Sequence, residues 1–269
     1  MTSQRNILTR GLILTKEPSG ETDLNVTLYS PDLGKIRATA KGARKISSSF
    51  CGHLETLNLC RFQLYRNVNH LTITQCQVEE NFKRIRRDFG RSMLASLLLE
   101  IFHKSTYSTE HGNELFRLMT ETLLELATTS HSFLTIESFK LRLMHTLGIL
   151  PDLNSCFSCR RTWNEENEIW LDMEGHLACL TCKRKHGTSQ KRIDLPVIRL
   201  AGSLMQEKTG NDEKITVTIE QKKQLLHITH LFLQHYINRE IVSERILKQL
   251  KKLAESNAES KKEKTAFNL

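Results

Sequence analysis

The sequence predicts an α+β chain: a small amino-terminal β-barrel, then a helical region into which a cysteine-rich segment is inserted. Three observations carry this. Over residues 5 to 80 apolar residues alternate with polar ones, at Leu12 and Leu14 and again at Leu24, Val26 and Leu28, the period of a half-buried strand. From residue 81 the apolar spacing changes to three and four, the period of one helix face. Finally, Cys156-Phe-Ser-Cys159 is followed, after nineteen intervening residues, by Cys179-Leu-Thr-Cys182, two paired knuckles at metal-ligand spacing.

In the first region, Pro18-Ser19-Gly20 and Ser30-Pro31-Asp32-Leu33-Gly34 are turns by composition. The strand that follows, Lys35 to Lys41, puts Ile36, Ala38 and Ala40 on one face and Lys35, Arg37, Thr39 and Lys41 on the other. Gly42-Ala43-Arg44-Lys45 extends this basic stripe into a loop, and no acidic residue interrupts it between Lys35 and Lys45. Further strands fall at 57 to 64 and 71 to 78, around the turn Arg66-Asn67-Val68-Asn69. Short strands of this number joined by long loops suit an OB-fold barrel, with a two-sheet sandwich as the alternative.

Phe82-Lys-Arg-Ile-Arg-Arg87 opens the helical region with a second basic cluster. One helix then runs through Met93, Leu94, Leu97, Leu98 and Ile101, until Ser108 to Gly112 breaks it. A second runs through Leu115, Leu118, Met119, Thr122, Leu123 and Leu126. The third carries Phe133, Ile136, Phe139, Leu143 and Leu147, with Ser132 as its expected N-cap and Gly148 and Pro151 as stop signals. His145, alone on that helix, is read as structural.

Two residues between cysteines let one turn aim both sulfurs at a single ion, and a second such pair completes a tetrahedron. Cys156, Cys159, Cys179 and Cys182 are therefore expected to hold one structural zinc, with no open position for water or substrate. Trp163, Ile169 and Trp170 between the pairs are expected to form a miniature core, and Cys51, Cys60 and Cys76 to behave as small buried hydrophobes. Lys183-Arg-Lys-His186 with Lys191 and Arg192 makes a third basic patch, after which helical spacing returns from Pro196 to Leu250. The organisation is thus a barrel over 1–80, helices over 81–150, a zinc insertion over 151–190, completing helices over 191–250 and a charged, fraying tail over 251–269.

Several function classes fall away. No window approaches eighteen consecutive apolar residues, and the start shows no secretory cleavage pattern. The chain has no P-loop, no Gly-x-Ser-x-Gly elbow and no His-Glu-x-x-His helix. His53-Leu54-Glu55 with a later Cys-x-x-Cys resembles a zinc deaminase only superficially, since four thiolates already saturate the ion. What remains is a formal charge of +9 gathered in three clusters, the footprint of a polyanionic partner. Aromatic residues are only 6%, so salt-sensitive contact with phosphates is expected to dominate, with Tyr29, Phe50 or Tyr65 as the available stacking platforms. A non-catalytic nucleic-acid-binding protein fits best; an RNA-binding or transcription-associated factor built from the same two modules is the alternative.

Several segments together resemble the RecO family of bacterial recombination mediators. They are the opening strand to Leu14, Gly20-Glu21-Thr22-Asp23, the Gly34-Lys35 turn, Ala40-Lys41-Gly42-Ala43-Arg44-Lys45, Gly52-His53-Leu54, Leu147-Gly148-Ile149-Leu150-Pro151, both cysteine pairs and Ser243-Glu-Arg-Ile-Leu247. The resemblance implies an OB-fold, a helical domain and a zinc insertion in a cytoplasmic, nucleoid-associated bacterial protein. It also implies binding of single- and double-stranded DNA, annealing of complementary strands, and loading of RecA onto DNA covered by the single-strand-binding protein SSB. The implied partners are RecR, in some members of the family RecF, and the acidic SSB tail. By position the family's DNA contacts fall on Lys35, Arg37, Lys41, Arg44 and Lys45, with Arg84, Arg86 and Arg87 as candidates for DNA or the SSB tail on charge alone.

Overall fold

The computed structural model describes residues 5–68, 70–107, 112–165, 168–186, 190–206, 216–237, 239–247 and 249, with backbone only at 184–186. The expected tail over 251–269 lies outside them, as does most of the expected helix break at Ser108–Gly112. Five strands, β1 (Asn6–Ser19), β2 (Asp23–Ser30), β3 (Gly34–Ala40), β4 (Leu59–Arg66) and β5 (Leu71–Glu80), close a barrel in the order β1-β2-β3-β5-β4. β1 can serve two neighbours because it is long and its register shifts between Ile13 and Thr15: its first half pairs with β4 and its second with β2. β3 and β5 meet in parallel, the one such pairing in an otherwise antiparallel sheet. Closure leaves no free edge, and the architecture is OB-like. Ile13, Val26, Leu28, Ala38, Ala40, Phe62, Leu64 and Ile73 fill the interior.

Helices follow at α1 (Lys83–Arg86), α2 (Phe89–Ser105), α3 (Gly112–Thr128) and α4 (Ser132–Thr146). Asp88 caps α2, its Oδ1 accepting from the Arg91 N–H at 2.9 Å. Ser132 is not the N-cap of α4. The helix begins at that residue, His131 occupies the cap, and no side chain bonds there. Gly148 does end the segment, in the left-handed region at φ 69°.

The cysteine-rich stretch forms more structure than its composition suggests. β6 (Ile169–Asp172), β7 (Leu177–Cys179), helix α5 (Leu180–His186) and β8 (Gln190–Ile193) follow in order, the strands making a sheet ordered β7-β6-β8. α6 (Leu195–Met205) and α7 (Ile219–Ile237) then return to the bundle.

One hydrophobic core unites these parts. Leu12, Leu14, Tyr29, Leu57 and Leu59 of the barrel region join Leu98, Phe102, Leu123, Phe139 and Leu143 of the helices. Ile169, Leu171, Leu177 and Ile193 join from the small sheet. The expected miniature core is corrected in part: Trp163 packs against a small cluster of Cys156, Ala178, Cys179 and Cys182 as well as at the edge of the main core, whereas Ile169 belongs to the main core and Trp170 lies outside both under the Lys183 ammonium. Tyr29 is corrected too. It is fully buried, edge-on to Phe102 at 4.7 Å, because helices cover the outer face of β2 that alternation alone leaves to solvent. At this junction Gly112 is obligatory, since a Cβ there would stand 2.7 Å from the Pro31 carbonyl oxygen. Cys60 is buried as expected, Cys76 is half-buried and Cys51 is exposed.

The helical core also holds an ion pair. Lys140 Nζ lies 2.8 Å from Glu137 Oε1, both residues are buried, and the Thr229 hydroxyl of α7 donates to the same carboxylate. Removing one partner strands the other charge without water, so Glu137→Ala is expected to destabilise the fold by about 3–5 kcal/mol. Replacing the pair together, Glu137→Leu with Lys140→Met, is expected to recover most of that loss in a thermal melt.

Glu100 on α2 ties down the segment with Ser243 to Leu247. Its carboxylate accepts from the N–H groups of Val242 and Ser243 at 2.9 and 2.8 Å and from Lys104 Nζ at 2.7 Å. Burial pushes this carboxyl up, but the bonds from Lys104, Ser243 and Val242 outweigh it and hold it down at about 2, against an ordinary 4.5. A depressed carboxyl contributes stability above its unfolded value and loses it as pH falls toward the folded one. The melting temperature is therefore expected to drop between about pH 4.5 and about pH 2, and less steeply in Glu100→Gln.

Candidate nucleic-acid interface and metal centre

The basic residues of the barrel divide by what they touch. Lys35 is half-buried at the junction, donating to the His103 carbonyl at 2.7 Å, its ammonium 4.9 Å from the Tyr107 ring centre. Arg37 is exposed on β3 and pairs with Glu17 at 3.0 Å. Such a solvated pair contributes little to stability and yields readily to another anion. Lys41, Arg44 and Lys45 are exposed on the loop after β3.

That loop is held against the β1–β2 turn. The Arg44 N–H donates to the Thr22 carbonyl at 2.8 Å, its guanidinium to the Gly20 carbonyl at 3.1 Å, and the Gly42 N–H to Asp23 Oδ1 at 2.8 Å. The bond from Gly42, helped by the charges of Lys41 and Lys45, holds the Asp23 carboxyl below its ordinary value. No ion pair among the described residues takes up Lys41, Arg44 or Lys45. The structure thus brings Gly20–Asp23 and Ala40–Lys45, two segments apart in sequence, together: the first supports the loop and sets the Asp23 carboxylate near Lys41 and Lys45, and the second carries the exposed cations.

The second cluster divides similarly. Arg84 and Arg87 are exposed at α1. Arg86 is a staple: its guanidinium donates to the Asn81 and Thr56 carbonyls, each at 2.7 Å, and to Asn58 Oδ1 at 2.9 Å. Arg91, unnoticed in the sequence, donates to the Leu126 and Thr129 carbonyls at the end of α3. Of the third cluster, Lys191 and Arg192 are exposed on β8, while the side chains of residues 184–186 lie outside the described set. Phe50 and Tyr65 are both half-buried.

The four cysteines converge. Their sulfurs all lie within 4.8 Å of one another, and the Cys159 and Cys179 sulfurs are 3.8 Å apart. A tetrahedron with metal–sulfur bonds of about 2.3 Å has edges of about 3.8 Å, so the cluster can hold a metal ion. The first knuckle turns at Arg160, in the left-handed region at φ 59°, and the Cys179 N–H points at the Cys156 sulfur at 3.4 Å. Burial pushes the Cys156 thiol up, but backbone N–H groups of Cys159, Cys179 and Ser158 bring it down to about 6. Burial and the neighbouring thiols push Cys182 up to about 12. Cys156, Cys179 and Cys182 are buried, and Cys159 is exposed.

A second donor group, Asp172, Glu174 and His176, sits at the β6–β7 turn. Asp172 Oδ1 accepts from the N–H groups of Glu174 and His176 at 2.9 and 2.8 Å, so this carboxylate organises the turn. No helix among the described residues is long and apolar enough to cross a membrane.

Residues 1–82 match the family described as Recombination protein O N terminal, and residues 86–245 match Recombination protein O C terminal. The chain belongs to the RecO family. It is similar to the DNA repair protein RecO of Alkaliphilus metalliredigens, 29% identical over 236 residues that make up 87% of this chain and 94% of that one. It is also similar to the DNA repair protein RecO of Dehalococcoides mccartyi strain BAV1, 30% identical over 68% of this chain and 72% of that one. The protein of that name from Syntrophus aciditrophicus is 25% identical over 91% and 96%. The boundary between the two RecO matches falls at α1, where Arg86 staples barrel to helices.

Proposed function

We propose that this chain is a DNA repair protein of the recombination-mediator type, binding DNA through the barrel loop and anneals complementary strands without catalysing bond cleavage. The observation that carries this is the supported loop with Lys41, Arg44 and Lys45, whose cations are exposed and enter no ion pair among the described residues, with the Asp23 carboxylate near Lys41 and Lys45. Lysine and arginine on such a surface bind a phosphate backbone by releasing its counterions, with little regard for sequence. Arg37 adds a further contact once it leaves Glu17, and Arg84 and Arg87 supply a second basic surface beside the barrel. Lys35 serves this interface indirectly, by holding β3 against α2.

Two strands carrying one negative charge per nucleotide repel each other as they approach. Cations on separate surfaces screen that repulsion, so complementary strands meet and pair with no nucleotide hydrolysis. Engagement of the acidic SSB tail then loosens SSB from its single strand, and cooperation with RecR delivers RecA to the exposed DNA. The four thiolates hold one zinc ion, which braces the carboxy-terminal half and takes no part in chemistry.

The test is annealing of complementary oligonucleotides, each covered by SSB, with and without the purified protein. Accelerated pairing without ATP is expected. An unchanged rate, together with preferential competition by structured RNA, would move the chain to RNA binding instead.

A further inference from the structure

The loop after β3 carries one side chain that phosphate binding does not use. Ile46 follows Arg44 and Lys45 directly and is fully exposed, at 103% of its reference area. The loop holds it there. Hydrogen bonds from the N–H of Lys45 to Gly42, Ser48 to Lys45, Cys51 to Ser48 and His53 to Phe50 set a succession of tight turns. Phe50, four residues on, packs against the barrel core and anchors the far side. An aliphatic side chain is thus presented to solvent on an ordered support, between cations and the run Ser47-Ser48-Ser49.

We propose that Ile46 is the base-contacting residue of this interface, an apolar wedge set against the unstacked bases of a single strand whose phosphates Lys41, Arg44 and Lys45 hold. The inference rests on the reading of this loop as the DNA contact. Single-strand binders commonly place aromatic rings under the bases, but residues 35–45 contain none, Tyr29 is buried, Phe50 packs on the barrel core and Tyr65 is half-buried on β4. Isoleucine is among the side chains that proteins insert at base steps. It has no donor or acceptor, so it makes no hydrogen bond to a base edge. Contact with base faces also leaves the Watson–Crick edges free, as pairing with a second strand requires. An aliphatic wedge gives way to base stacking more easily than an aromatic platform, which suits a protein that releases the duplex it helps to form.

The test is equilibrium binding of the full chain to an oligothymidylate across a salt series, beside an oligonucleotide of equal length made of abasic sites. Ile46→Ser is expected to weaken oligothymidylate binding about five-fold at every salt concentration, with the salt slope unchanged because no phosphate contact is lost. The same variant should equal wild type on the abasic strand, and Ile46→Phe should bind the normal strand more tightly. Equal affinity of wild type and Ile46→Ser for oligothymidylate would overturn the wedge while leaving the basic interface in place, as would an equal loss on the abasic strand. Wild-type protein that binds neither strand would remove the interface and the wedge together. The side chain lies outside every hydrophobic core cluster among the described residues, so circular dichroism of the variants should match wild type.

Discussion

Stripping the metal, or replacing Cys156 by Ser, is expected to unfold residues 151–193 and to weaken the whole helical half. Without an ion, the chain must bury three thiols beside one another with only weak sulfur hydrogen bonds. Structural zinc in small domains contributes about 10–16 kcal/mol of apparent binding energy, comparable with the entire stability of many folds. The damage should not stay local, since Ile169, Leu171, Leu177 and Ile193 of the small sheet pack into the core built by α2, α3, α4 and α7. Elemental analysis of protein purified under reducing conditions should find one zinc per chain. Chelation should lower the melting temperature and open 151–193 to protease while the barrel, with its own core, resists longer. Metal-free protein with an unchanged melt would remove zinc from the account.

Exchanging Lys41, Arg44 and Lys45 together for Ala should nearly abolish DNA binding at moderate salt. Each lost single-strand phosphate contact removes about 0.7 from the slope of log affinity against log salt, so the triple variant should be flatter by about 2. The loop itself should survive, because its support comes mostly from backbone: Arg44 N–H to Thr22, Lys45 N–H to Gly42 and Gly42 N–H to Asp23. Lys35→Ala makes a useful contrast. It removes the cation that donates to the His103 carbonyl and covers the Tyr107 ring, so its effect should appear in the melting temperature before the salt slope. A triple variant with the wild-type slope would exclude this loop as the binding surface.

What the sequence by itself determined is whatever is encoded by short-range period and spacing. Alternation in β1 to β3 marked the barrel strands, three-and-four spacing marked α2, α3, α4 and α7, and paired Cys-x-x-Cys marked the four-cysteine cluster that can hold a metal ion. These signals are local, because a strand or helix repeats within a few residues and a knuckle needs only a turn. Strands of three or four residues, as in β6 to β8, are too short to show a period, so the sheet around the cysteines was not legible.

Only the tertiary structure decided which chemically equal residues are free to act. Lys35 and Lys41 end the same basic stripe, yet one is held at the junction with α2 and the other faces solvent. Arg84 and Arg86 lie two positions apart, yet only Arg86 reaches Thr56 and Asn58. Tyr29 has the chemistry of a stacking platform and is spent as a core residue against Phe102. The physical reason is that charge and ring are fixed by residue type, whereas availability depends on neighbours brought in from distant parts of the chain. The joining of Gly20–Asp23 to Ala40–Lys45 is such a long-range event, created by the pairing of β1, β2 and β3 and written in no single segment.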